Sequence, residues 1–196
     1  MRILLLADEP DVRLWDHLDR SLLEDIDLVI SCGDLPAEYL SFITCFTSAP
    51  ILYVHGNHDT RYEKKPPEGC ICIEDTIYEY NGLRILGLGG CMRYSRGPHQ
   101  YTEHEMLRRV KRLRFKLWRS GGIDILLTHA PAYRLGDDTD LAHTGFETFL
   151  YMIEKYRPKL LVHGHVHQSY RHDFMRVRQC GQTQVINACG YYIVDL

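Results

Sequence analysis

Residues that can bind a metal or transfer a proton directly follow a short apolar run in this chain. The run covers residues 51–54 and leads, through one histidine and Gly56, to Asn57, His58 and Asp59. A short apolar run of this kind predicts a buried strand, and glycine permits a sharp turn with close backbone approach. Open α/β sheets bind ligands at the carboxyl ends of their strands. The polar trio is therefore a candidate site, although Gly-Asn is also common turn chemistry.

The same construction follows four other predicted strands. Strands predicted over residues 3–7, 28–30, 123–127 and 160–162 each end close to a carboxylate or an imidazole. Any one of these polar residues has an ordinary explanation as a turn, a cap or a hydrogen-bonded core residue. Their recurrence at five strand ends favours one shared site. The candidate metal ligands are Asp8, Asp34, Asn57, His129, His165 and His167.

The donor types predict the class of metal. Mixed oxygen and nitrogen donors suit manganese, iron or zinc better than calcium, which prefers oxygen alone. One ion needs about four protein ligands, so the larger candidate set favours two ions that share a bridging carboxylate. Two metals ~3.5–4 Å apart form the known clamp for in-line displacement at phosphorus. The chemistry that these residues favour is therefore hydrolysis of a phosphoester.

Helices alternate with the strands that must position these residues, which predicts an α/β fold with a mostly parallel sheet. Asn81-Gly82 lies between two β-type runs and is a strong hairpin signal. We expect a surface loop over residues 61–69. The helical patterns cover residues 17–26, 37–46, 103–118 and 145–157, the hairpin strands cover 76–80 and 83–88, and three antiparallel strands cover 175–178, 183–187 and 191–194.

Composition limits the possible partners. The chain has 196 residues, of which 45% are apolar and 25% charged, so we expect one globular domain over residues 1–196. A net charge of −3 favours neither nucleic acid nor a membrane as a partner. Seven scattered cysteines without a C-x-x-C pair predict reduced thiols in a cytoplasmic protein. No apolar run has the length of a signal peptide or the ~20 residues of a membrane helix.

Four motifs carry a family resemblance. Gly33-Asp34, the run Gly56-Asn57-His58-Asp59, the isolated His129 and the run Gly164-His165-Val166-His167 resemble the signature of calcineurin-like metallophosphoesterases. The compact size is similar to that of small bacterial members. The resemblance implies a four-layer αββα sandwich, with two mixed β-sheets packed together and flanked by helices. It also implies two divalent ions, with manganese first and iron, zinc or nickel as alternatives. The implied substrate is a small phosphodiester or phosphomonoester.

The resemblance assigns roles to the candidate residues. It places Asp8, Asp34 and His167 on one ion, and Asp34, Asn57, His129 and His165 on the other, with a metal-activated hydroxide as the nucleophile. His58 is implied as the general acid that protonates the leaving oxygen, and Asp59 is expected to orient its ring. Arg93 and Arg96 either clamp a substrate phosphate or are solvated loop charges.

One position departs from the family pattern. The family sequence D-x-H would place a histidine at position 10, where this chain has Pro10, which offers no side-chain donor. Glu9, a water or another histidine such as His143 could fill the gap. The departure also supports an alternative function as a scaffold for protein–protein contacts, as a retromer subunit of this superfamily illustrates. The intact His58 opposes that reading, and no basic surface run or accessory domain supports a nuclease. The sequence leaves the oligomeric state undetermined.

Overall fold

The computed structural model describes residues 1–167 and 174–196. A five-stranded sheet has the order β13-β1-β2-β3-β4, in which β1 to β4 are parallel and β13 runs antiparallel to β1. Buried apolar residues of its central strands explain why they form sheet. The strands are β1 (Arg2–Ala7), β2 (Leu28–Ser31), β3 (Ile51–Tyr53), β4 (Cys70–Cys72) and β13 (Gly190–Asp195).

A six-stranded sheet has the order β11-β12-β10-β9-β6-β5, with four parallel central strands and an antiparallel strand at each edge. The predicted hairpin is confirmed, because Asn81 and Gly82 join β5 to β6 with φ values of 47° and 79°. Positive φ at both positions is the geometry of a type I′ turn. The strands are β5 (Ile77–Tyr80), β6 (Leu83–Leu88), β9 (Ile125–Thr128), β10 (Leu160–His163), β11 (Val177–Cys180) and β12 (Thr183–Asn187). A separate two-stranded pair comprises β7 (Cys91–Met92) and β8 (Gln100–Tyr101).

Local sequence signals explain where the helices begin and end. Pro36 precedes the first helix, and Thr102 with Glu105 forms a capping box at the start of the second. Arg157 ends the last helix in the left-handed conformation, directly before Pro158. The helices are α1 (Ala37–Thr44), α2 (Glu103–Arg112), α3 (Arg114–Arg119) and α4 (Glu147–Tyr156).

Buried apolar residues form three clusters, one between the two sheets and one on the outer face of each sheet. Between the sheets, residues such as Leu5 and Leu52 pack with Leu127 and Val162. On the outer face of the five-stranded sheet lies α1, and on the outer face of the six-stranded sheet lie α2, α3 and α4. This arrangement confirms the αββα sandwich. No helix among residues 1–167 and 174–196 is long and apolar enough to cross a bilayer.

The helix predicted over residues 17–26 is wrong. The structure has only a 3-10 turn there, Arg20–Leu22, in which the Asp19 side chain accepts from the backbone amide of Ser21. Asp25 adopts a φ of 58°, which ends any helical continuation. Aspartates favour caps and turns over helix interiors. The apolar spacing in this segment instead serves packing, since Ile26 is buried against the sheet.

The structure corrects three further expectations about secondary structure and strand pairing. The helix predicted over residues 103–118 is divided at Leu113 into α2 and α3. The predicted loop over residues 61–69 begins inside a 3-10 turn, Asp59–Glu63, that buries Tyr62. The last three strands are not one antiparallel set. β11 and β12 pair antiparallel, whereas β13 crosses to the other sheet and pairs with β1.

Candidate metal centre

Loops at the carboxyl ends of β1, β2, β3, β9 and β10 meet at one edge of the sandwich. Three donor atoms from these loops converge on a fourth, the ring nitrogen Nε2 of His129. This nitrogen lies 3.0 Å from Asn57 Oδ1, 3.1 Å from His165 Nδ1 and 3.3 Å from Asp34 Oδ2. His129, Asn57 and His165 are buried, and Asp34 is half-buried. The sequence therefore brings these four candidates within ligand distance of one point.

Two backbone carbonyls fix which nitrogens of the histidines carry protons. Nδ1 of His129 lies 2.8 Å from the carbonyl oxygen of Cys32, and Nε2 of His165 lies 2.7 Å from that of Ala142. A carbonyl oxygen only accepts, so each of these nitrogens is a donor. The other nitrogen of each ring then faces the convergence point, where it can bind either a cation or a proton. Such carbonyl partners are the usual support of metal-binding histidines.

The ionisable groups at this point shift one another's pKa values. Burial by itself would lower the pKa of His129, but the neighbouring Asp34 carboxylate outweighs it and raises the pKa to about 9. Burial opposes ionisation of Asp34, yet His129 holds the pKa of that carboxyl at about 2. Burial and the His129 charge lower the pKa of His165 to about 3. Without a metal, the imidazolium of His129 supplies the positive charge that the carboxylate requires.

Three of the ligand positions have strained backbone. Asp8, Asp34 and His165 adopt φ values of 63°, 58° and 69°. The left-handed region costs a non-glycine residue about 1–2 kcal/mol, and such strain is concentrated at functional sites. Neighbouring glycines make room, because a Cβ at Gly56 would lie 2.0 Å from Asp34 Oδ1 and one at Gly164 would lie 2.7 Å from Asp8 Oδ2. The motif glycines therefore permit close packing of the loops around the ligands.

Hydrogen bonds tie the remaining loop residues to these ligands. Both carboxylate oxygens of Asp8 accept from the backbone amide of His165, at 3.0 Å each. The backbone amide of His58 donates to Asp34 Oδ1 at 2.7 Å. Burial is the main cause of a raised pKa at Asp8, and the charges of His129 and His167 counter it. Asp8 therefore lies within electrostatic reach of both of these histidines.

His58 and Asp59 have different positions at the site. The His58 side chain is exposed and lines a cleft of about 760 Å³ together with Asp8 and Asp34. Asp59 is 4% exposed, and its Oδ2 accepts from the amides of Gly56 at 2.7 Å and Asp34 at 2.8 Å. We expected Asp59 to orient the His58 ring. Its hydrogen bonds among the described residues instead hold two ligand loops together.

A sequence model of calcineurin-like phosphoesterases matches residues 1–169. The chain belongs to the calcineurin-like phosphoesterase family. Members of this family typically bind divalent metals, in keeping with the converging donors. No curated protein sequence matches the chain significantly.

Two solved structures have a similar fold. TT1561 of Thermus thermophilus has 18% identity and a TM-score of 0.68, with 96% of this chain and 89% of that chain covered. GAP50 of Plasmodium has 14% identity and a TM-score of 0.58, with 97% and 71% covered. At these identities the likeness shows a common fold and no more.

His167, the last histidine of the family's G-H-x-H motif, lies in a second group of donors. Its Nδ1 is 2.7 Å from Glu9 Oε1, and donor atoms of Glu9, His167 and Cys189 all lie within 4.8 Å of one another. Sequence reasoning missed Cys189, because its only local signal is a position just before the last strand. His143, the other candidate to replace the family histidine, has its ring centroid 4.9 Å from that of His165, with the two rings tilted by 35°.

The structure does not place the predicted arginines at the cleft of this phosphoesterase-family protein. Arg93 pairs with Glu105 at 2.9 Å, and neither Arg93 nor Arg96 is among the residues that line the cleft. The cleft is lined by other cations, including Arg61 and Lys64, from the segment predicted as a plain surface loop. Their signal in the sequence is the presence of Arg61, Lys64 and Lys65 within six residues after the Asn-His-Asp trio.

Proposed function

We propose that the chain is a metal-dependent phosphoesterase that hydrolyses a small phosphodiester or phosphomonoester through a dinuclear metal centre. The observation that carries this proposal is the convergence at His129 Nε2. Two imidazole nitrogens, one amide oxygen and one carboxylate oxygen face a single point, and backbone carbonyls accept from the opposite nitrogen of each ring. Lone pairs in such proximity repel one another unless a cation or proton lies between them. Manganese is the first choice for this oxygen and nitrogen donor set, with iron, zinc and nickel as alternatives.

When bound, divalent ions supply Lewis-acid stabilisation of phosphate oxygens and lower the pKa of the attacking water. His58 supplies the remaining requirement, a proton for the leaving oxygen. Its ring is exposed to the cleft, while its amide is anchored to Asp34 Oδ1 at 2.7 Å. This anchor links the position of the proton donor to that of a metal ligand. Asp59 supports both by holding the amides of Gly56 and Asp34.

The cleft supports a small, anionic substrate. Its volume of about 760 Å³ and the presence of Arg61 and Lys64 among its lining residues suit a phosphoester with a modest organic group. Cations beside a phosphate site favour binding of the anion before reaction.

A scaffold function is the second candidate. GAP50 of Plasmodium, which has a similar fold, is described as an anchor in the inner membrane complex. Pro10 in place of a ligand supports a loss of catalysis. Against it, a scaffold needs neither the converged donors at His129 nor an exposed His58 at the cleft.

Turnover of two aryl phosphates, one monoester and one diester, tests the proposal. The chelator-treated chain should be inactive and should regain activity with manganese, iron(II), zinc or nickel. His104→Ala, which removes an exposed histidine on α2 outside the cleft, is the matched control for His58→Ala. Absence of turnover above that of a His129→Ala preparation, with all four metals and both substrates, would favour the scaffold.

A further inference from the structure

The second donor group combines three ligand types that the family pattern does not bring together. A carboxylate from Glu9, an imidazole from His167 and a thiol from Cys189 place their donor atoms within 4.8 Å of one another. Glu9 Oε1 and His167 Nδ1 are 2.7 Å apart. Donors around a tetrahedral zinc lie roughly 3.5 Å apart, given bond lengths of about 2.0–2.3 Å. Small side-chain movements would therefore place all three donors around one ion.

Long-range strand pairing brings Cys189 to this position. Gly190, the first residue of β13, pairs with Ala7 at the end of β1, and Cys189 forms a further bridge with Ala7. Asp8 and Glu9 follow directly. The thiol is thus held beside the segment that carries both carboxylates.

The backbone of Cys189 is fixed on both sides. Its amide donates to Asn187 Oδ1 at 2.9 Å, and its carbonyl accepts from Arg176 Nη1 at 3.1 Å. Cys189 is 3% exposed and is not in a disulfide. A thiol this inaccessible is poorly placed to attack a substrate from solution, but it is well placed as a fixed ligand.

Pro10 explains why a replacement donor is needed. The family histidine at that position would contribute one nitrogen beside Asp8 and His167, and proline contributes none. Glu9 occupies the preceding position, and its carboxylate already contacts the ring of His167.

We propose that Glu9, His167 and Cys189 form a thiolate-containing site for the second cation, in place of the missing histidine. Thiolate is a soft ligand that selects zinc or iron over manganese, so the two sites of this chain would differ in metal preference. Binding transfers the thiol proton and the proton shared by His167 Nδ1 and Glu9 Oε1 to solvent, and it involves no change of oxidation state. Only the role of this site in turnover depends on the proposed function. Metal binding at the site can be measured without any phosphoesterase activity.

Cobalt(II) titration of the chelator-treated chain tests the site directly. Cobalt accepts the ligands of zinc, and a bound thiolate gives an intense charge-transfer band in the near ultraviolet. The wild type should show this band, and zinc should abolish it by competition. Cys189→Ser should lose the band and bind one cobalt fewer per chain. Glu9→Gln, a change at a side chain that is 60% exposed, should retain the fold and require more cobalt for the same band.

Cys45→Ser is the matched control, since it removes an exposed thiol at the end of α1 and should leave the band intact. Circular dichroism establishes that each variant is folded. A band that survives Cys189→Ser, or full cobalt binding without a band in the wild type, overturns the proposal. A band without phosphoesterase activity would refute the proposed function alone, whereas activity without a band would refute only the thiolate site.

Discussion

The two donor groups of this chain differ in how firmly the protein holds them. At the first, His129 is fully buried, and a backbone carbonyl fixes the ring of each histidine. At the second, the side chain of Glu9 is 60% exposed and that of His167 is 26% exposed. A buried, preorganised group loses little conformational entropy when it binds an ion, whereas an exposed glutamate must be ordered. We therefore expect unequal occupancy, with the buried group filled first.

His129→Ala should have the largest effect. It removes the nitrogen on which the other three donors converge and leaves the Asp34 carboxylate without its cationic partner. Metal content should fall and turnover should drop to background. Elemental analysis and aryl phosphate hydrolysis measure the two quantities. Retention of both metals in this variant would mean that the buried group is not a metal site.

His58→Ala should reduce turnover by ~10²–10⁴-fold, the usual contribution of general acid catalysis. Metal content should remain close to that of the wild type, because the His58 side chain is exposed and is not one of the converging donors. The same two assays decide the outcome. Loss of metal as severe as in His129→Ala would contradict this division of roles.

Pro10→His tests the weaker group. Pro10 and Asp8 both line the cleft. A histidine at position 10 would restore a nitrogen donor next to Glu9, whose side chain is exposed. The manganese concentration for half-maximal activity should fall by on the order of 10-fold, the lower end of the effects seen for partners of metal ligands.

Pro10→Ala is the control, because loss of proline also frees φ and can loosen the loop. Thiolate binds manganese weakly, so the added nitrogen should improve manganese binding even with Glu9 and Cys189 in place; histidine that behaves like alanine would contradict this prediction. Equal affinity of the wild type for two manganese ions would instead contradict the unequal occupancy itself.

Tyr94→Phe should have the smallest effect. The Tyr94 hydroxyl accepts from Asn57 Nδ2 at 3.1 Å and so helps to direct Asn57 Oδ1 at His129. One such hydrogen bond contributes about 0.5–1.5 kcal/mol, so metal affinity at the buried group should fall roughly 2–10-fold. Calorimetric titration with manganese measures it, and an unchanged affinity would show that the backbone alone orients Asn57.

Much of the buried group followed from local patterns. Apolar runs predicted the strands that precede Asp34, Asn57 and His129, and the motif glycines predicted tight turns after them. The helix predicted over residues 17–26 was wrong, since capping by Asp19 and the left-handed Asp25 favoured a short turn over continuous helix. The spacing of apolar residues predicts which side chains are buried, but it does not distinguish a helix from a turn packed against the core.

The sequence by itself determined the fold class and the donors at the parallel strand ends. Each of these depends on a few adjacent residues, whose hydrophobicity and backbone preferences act locally. The tertiary structure decided that β13 crosses to pair with β1, which brings Cys189 beside Ala7 and hence near Glu9. It also decided that Asp59 holds backbone amides rather than the His58 ring. Such contacts depend on which distant strands pair, and that choice is made by packing of the whole core.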